Sequence, residues 1–170
     1  MVKTSEEMKN LVEEFIKVTK INYEDQTEKV REKSQLIEWQ FRVGTNVIVS
    51  KNANRTDRIH LNVNMRFPAE DAKLLVIKNP SFSKAVMDIS EICTMCNVGH
   101  QWVKDKNDIV GLAVFSHVDE EILDRVSFHD RWDNVARVTA HIQKILRSNF
   151  SGFSGQPNPA DETTEKSMYG

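Results

Sequence analysis

Cysteine, proline and glycine are scarce in this chain, at two, four and six among 170 residues, and aromatic residues make up only 8%. Two cysteines cannot form the disulfide framework that holds small secreted domains together, and the pair Cys93 and Cys96 has no second Cys-x-x-Cys to complete a four-thiolate zinc site. The isolated glycines Gly44, Gly99 and Gly111 give neither the G-x-G-x-x-G spacing nor a phosphate-binding loop. Ser127 lacks the flanking glycines of a nucleophile elbow. Basic excess is missing too: 23 Lys and Arg stand against 25 Asp and Glu, for a net charge of −2. A surface of that balance is not expected to grip phosphate backbones, so nucleic acid is not an expected partner. No apolar run reaches the ~18–20 residues of a membrane span. The first residues, MVKTSEEMKNLVEEF, are acidic and helical in pattern, unlike an export leader. The expected location is the cytoplasm, with no membrane partner.

What is present is a change of hydrophobic period along the chain. Thr4 and Glu7 have the spacing of a capping box, and Met8, Leu11, Val12 and Phe15 share a helical face, which predicts a helix over 5–20. Residues 22–34 are polar and weakly periodic and read as a connector. Ile37, Trp39, Phe41 and Val43 then alternate with polar residues, as do Ile59, Leu61, Val63, Met65 and Phe67, with a shorter strand over 47–50 between them. Short links predict an antiparallel meander of these three. Asn79-Pro80 opens a second amphipathic helix through Phe82, Val86, Ile89, Cys93 and Cys96, with Gly99 as its expected stop. A hairpin follows over 100–104 and 109–118. Ser127 is the expected cap of a last helix that buries Phe128, Trp132, Val135, Thr139, Ile142 and Leu146. From Ser151 the composition turns to Gly, Ser, Pro and acidic residues, too poor in apolar surface to offset ordering entropy. The expectation is therefore a single α+β domain over 1–150 (helix, three-stranded antiparallel meander, helix, β-hairpin, C-terminal helix) and a flexible tail over 151–170.

No catalytic, cofactor-binding or metal residue is assigned on this reading. Cys93, Cys96 and His100, with His117 as a fourth donor if the hairpin folds back, are the one grouping that a metal-binding or enzymatic alternative could use. The cysteines fall at a helix C-terminal end, where the dipole opposes a thiolate, and on the apolar stripe, so they read as buried structural residues. A redox pair is not expected, nor is a covalent haem, since Asn97 follows the second cysteine. His60, His129 and His141 read as surface residues, and Asp130 and Asp133 beside His129 as ordinary first-turn acids. The polar strand positions Gln40, Arg42, His60, Asn62, Asn64 and Arg66 read as a solvated outer sheet face without aromatic residues.

The meander from LIEWQFRV to RIHLNVNMRF, the helix PSFSKAVMDISEICTMC, the hairpin HQWVKDKNDIVGLAVFSHV and the last helix give an order that resembles the secretion-chaperone-like fold. That fold occurs in type III secretion chaperones and in uncharacterised archaeal and bacterial proteins, and the resemblance covers about residues 5–149. It implies a homodimer that binds extended protein segments, hence a non-enzymatic, chaperone-like protein-binding module without a cofactor. The hairpin strand supports self-association independently, because it is apolar on both faces: Val110, Leu112 and Val114 on one, Ala113 and Phe115 on the other. One face packs on the chain's own helices, and the other needs a cover, from the first helix or from a second copy. Trp102 on the neighbouring strand adds a large anchor. Partner contacts are therefore expected at Trp102, Val110, Leu112, Val114 and Phe115, with the parity left open.

Overall fold

The structure, a computed structural model, describes residues 3–44 and 46–155. The elements in chain order are α1 (Ser5–Val18), β1 (Tyr23–Asp25), α2 (Thr27–Arg31), β2 (Ile37–Val43), β3 (Val47–Asn52), β4 (Arg55–Arg66), α3 (Ala69–Leu74), α4 (Pro80–Met95), β5 (Gly99–Asp105), β6 (Asp108–Asp119), a 3-10 turn (Glu120–Ile122) and α5 (Arg125–Asn149). The six strands form one antiparallel sheet in the order β1-β2-β3-β4-β6-β5. The class is α+β, as expected, with more strands than a three-stranded meander plus hairpin.

Strand alternation sets which residues face the helices. Trp39, Phe41 and Val43 on β2, Val47 and Val49 on β3, Ile59, Leu61, Val63 and Met65 on β4, and Leu112, Val114 and Val118 on β6 are all buried in one core. Helices α1, α4 and α5 supply the other half of that core through Met8, Val12, Phe15, Ile16, Phe82, Ala85, Ile89 and the α5 stripe. The stripe is the one read from the sequence: Phe128, Trp132, Val135, Thr139, Ile142 and Leu146 are all buried. Phe128 is completely enclosed and meets Phe15 of α1 with ring centroids 5.8 Å apart.

Three helix ends are set by local chemistry. At α1 the expected Thr4–Glu7 capping box is present. At α5 the cap is Asp124, three residues before the expected Ser127. Asp124 accepts from the Ser127 amide at 2.7 Å, and Ser127 Oγ accepts from the Asp124 amide at 3.0 Å, so serine takes the third position of the box. At α4 the stop is Asn97, two residues before Gly99. Asn97 adopts a left-handed φ of 52°. The Val98 amide donates to Cys93 O at 2.9 Å and the Asn97 amide to Thr94 O at 3.2 Å, which is the Schellman pattern. Gly99 is thereby already the first residue of β5.

Two segments carry more structure than their composition suggests. The polar connector over 22–34 contains β1 and α2. It is held by side-chain contacts: Tyr23 Oη donates to Glu13 at 2.6 Å, Lys9 pairs with Asp25 at 2.8 Å, and Gln40 Nε2 donates to Gln26 Oε1 at 3.1 Å. The first residues of the expected flexible tail, 151–155, are fastened to the domain. Phe153 is buried against Phe67, with centroids 5.4 Å apart in an edge-to-face contact. The buried carboxylate of Asp71 accepts from the Ser154 amide at 2.9 Å, Ser154 Oγ at 2.8 Å and the Gly155 amide at 3.2 Å. One phenylalanine and one carboxylate thus fasten residues 151–155 to the domain. The remainder of the expected tail, 156–170, lies outside the described residues.

Candidate functional site

The sheet has one face under the helices and one that no long helix covers. Cross-strand registers arrange the second face in rows. One row runs Gln40, Ser50, His60, His117 across β2, β3, β4 and β6. The next runs Glu24, Arg42, Ile48, Asn62, Phe115, Gly99 across all six strands. A third pairs Asn64 with Ala113 and Gln101, and a fourth Arg66 with Gly111 and Val103. Phe115 is the exposed aromatic of this face, at 41%. Its ring lies over Gly99 so closely that a Cβ there would sit 2.3 Å from the ring edge. The glycine is therefore the seat of the phenylalanine. The expectation of a face without aromatics fails at this one residue, because β6 was read as apolar on both sides and not as part of the polar face.

Polar atoms on this face are sheltered without being satisfied. Asn62 Oδ1, His60 Nε2 and Asp119 Oδ1 are out of solvent and have no hydrogen-bond partner among the described residues. Burial, together with the neighbouring His117 and Arg58, holds the His60 imidazole below its ordinary value, so the ring is neutral at pH 7. Asp119 Oδ1 stands 3.9 Å from His117 Nε2 and 3.8 Å from Arg58 Nε, and Arg58 also pairs with Asp57 at 2.8 Å. An unsatisfied buried acceptor costs about 1–3 kcal/mol, which a docked group with donors would recover.

The expected partner residues divide between the two faces. Leu112 and Val114 are completely buried under the chain's own helices, so they are not available to a partner. The physical reason is register: they sit opposite Met65 and Val63, on the core side. Trp102 shares that side and packs on Phe82 of α4 with centroids 5.2 Å apart, half-buried at the end of the helix layer. Val110 is half-buried at an irregularity in the β5–β6 register, which also turns Ile109 inward. Phe115 alone of the five stands exposed on the uncovered face. The facing Ala113 is only 1% exposed, shielded by its neighbours.

The cysteine grouping does not assemble. Cys93 is buried on the core side of α4, and its thiol is pushed up to about 11 by burial first and by Cys96 second. Cys96 is the half-buried C-cap of α4, and both cysteines are free thiols. His100 lies opposite the buried Val114, with its imidazole lowered by burial. Among the described residues, no set of three or more His, Cys, Asp or Glu is arranged to hold a metal ion. No helix of the described residues is long and apolar enough to cross a membrane.

In three dimensions the chain is similar to the crystal structure of an uncharacterized protein from Methanothermobacter thermautotrophicus, with a TM-score of 0.68 at 10% sequence identity. The likeness covers 84% of this chain and 98% of that one, and at such identity it shows a shared fold alone. No family model matches the chain, and no curated protein matches it in sequence.

Proposed function

We propose that this chain is a non-enzymatic, chaperone-like protein-binding module, homodimeric, that docks protein on the uncovered face of its sheet around Phe115. The observation that carries the reading is the combination at that face: an exposed aromatic ring seated on Gly99, beside sheltered polar atoms of Asn62 and His60 that have no partner of their own. Apolar anchor and unpaired acceptor side by side are what a partner surface with a complementary edge or side-chain amide would satisfy. The element order that resembles secretion chaperones supports the same reading.

Sedimentation velocity at micromolar concentration tests it. The expected species is a dimer of the 19.6 kDa chain, and Phe115→Asp is expected to return it to monomer while the far-ultraviolet spectrum stays unchanged. A wild-type chain that sediments as monomer across that range removes the homodimer. A dimer that Phe115→Asp leaves intact removes this face as the docking surface.

A further inference from the structure

The uncovered face carries a second feature, which shares His60 with the docking reading but not Phe115 or Asn62. His60 on β4 and His117 on β6 are direct cross-strand partners. Side chains in directly opposed positions have Cβ atoms only about 4.5–5.5 Å apart and project from the same face. Two imidazoles in this register project side by side from one face of the sheet. His60 Nε2 is sheltered and has no hydrogen-bond partner among the described residues. Among the described residues nothing competes for this nitrogen.

We propose that His60 and His117 form a two-imidazole binding site for a divalent first-row transition-metal ion of the zinc or nickel type. Neutral imidazole is the ligand these ions favour, and the hard oxygen-seeking ions Mg²⁺ and Ca²⁺ would not select it. Asp119 Oδ1, 3.9 Å from His117 Nε2, sets a carboxylate beside the pair. Arg55 and Arg58 set positive charge near His60, offset in part by Asp57 and, beside His117, by Asp119. With no third protein ligand grouped there among the described residues, water completes the coordination, and the half-exposed His117 leaves room for it. The site differs from the Cys93, Cys96 and His100 grouping in element, face and ligand type, and it does not depend on the docking reading, because metal uptake is read on the chain itself.

The test is calorimetric titration of the full, tag-free chain with Zn²⁺ and, separately, Ni²⁺ at pH 7.5. The variants are His60→Gln, His117→Gln and the double substitution Cys93→Ala with Cys96→Ala. The expected result is saturable uptake of no more than one ion per chain, weakened at least tenfold by each histidine substitution and unchanged in the cysteine variant. His117 is exposed, so His117→Gln folds as the wild type does, and its thermal melt serves as the control. In the wild type the ion raises the melting temperature, and in His117→Gln it does not. No saturable uptake, a loss smaller than tenfold in either histidine variant, or loss in the cysteine variant each overturns the assignment.

Discussion

The two faces of the sheet are built from the same six strands and obey opposite rules. On the helix side the row Phe41, Val49 and Leu61 is apolar and inaccessible, and it ends on β6 at the buried Ser116. On the other side Gln40, Ser50 and Asn62 are also largely inaccessible, yet they are polar, and Gln40 is held by Gln26 of the α2 segment. Burial is therefore similar at many positions, while its chemistry differs: apolar packing under the helix layer on one side, polar residues on the other. A face that leaves Asn62 Oδ1 and His60 Nε2 sheltered without a partner among the described residues leans on the packing of the opposite face for its stability. The first face makes the fold, and the second is left for recognition.

That division predicts its own largest break. Phe128→Ala on α5 is expected to cost about 3–5 kcal/mol, the range for a fully buried phenylalanine. His117→Ala, on the uncovered face, is expected to stay within about 0.5 kcal/mol. Urea denaturation of both variants measures the pair, and a similar cost for the two would abolish the distinction between the faces.

The helix side was legible in the sequence because periodicity reports burial by apolar side chains. The α5 stripe and the alternation of β2 and β4 translate directly into the core. What periodicity does not report is structure held by polar contacts. The connector containing β1 and α2 is tied down by Tyr23–Glu13, Lys9–Asp25 and Gln26–Gln40, none of which leaves an apolar signature. The fastening of residues 151–155 depends on Asp71, which lies 83 residues earlier than the Ser154 it binds. The candidate site was half legible. Phe115 could be named but not oriented, since an apolar residue on both parities of β6 fits either face until the register with β4 is known. His60 read as a surface histidine and His117 as a possible fourth donor to the cysteine grouping, and it is the β4–β6 register that pairs them.

The C-terminal fastening extends the helix-side rule to a segment with loop-like composition. Phe153→Ala is expected to lower stability by about 1–3 kcal/mol, less than Phe128→Ala because the segment can detach locally while the rest stays folded. Asp71→Ala removes the acceptor of three hydrogen bonds and should fall in the same range. If both effects arise from one docked segment, the double variant costs clearly less than the sum of the singles. Additive costs would separate the two contacts.

Acid sharpens the comparison from the uncovered side. In the folded chain the His60 and His100 imidazoles are held below their ordinary value, His60 by burial and nearby positive charge and His100 by burial alone. The unfolded chain takes up protons at these rings first as pH falls through about 6.5. Stability is therefore full above that pH and declines below it, down to the lowered folded values. Denaturation midpoints between pH 7.5 and 5 should fall, and His60→Gln should flatten the fall. An unchanged slope in that variant would mean that His60 is not sheltered.

The smallest expected effect on stability comes from Gly99→Ala, and it isolates the recognition face most cleanly. A methyl group at this position would meet Phe115 at 2.3, 2.6 and 2.9 Å, distances that no real packing tolerates. The obstacle is the far end of a side chain, not backbone, and Phe115 is exposed enough to swing away. Gly99 does not have a left-handed φ, so alanine introduces no backbone strain, and alanine recovers part of the entropy that glycine loses in a strand. The gain and the displaced ring roughly cancel, and the net change should stay within about 0.5 kcal/mol. The ring, however, can no longer rest where it does. If protein docks on the uncovered face, Gly99→Ala weakens self-association by an amount approaching that of Phe115→Asp while its urea midpoint matches the wild type. Sedimentation and denaturation on the same sample decide it. Unchanged association beside unchanged stability would show that the position of the Phe115 ring is irrelevant to binding.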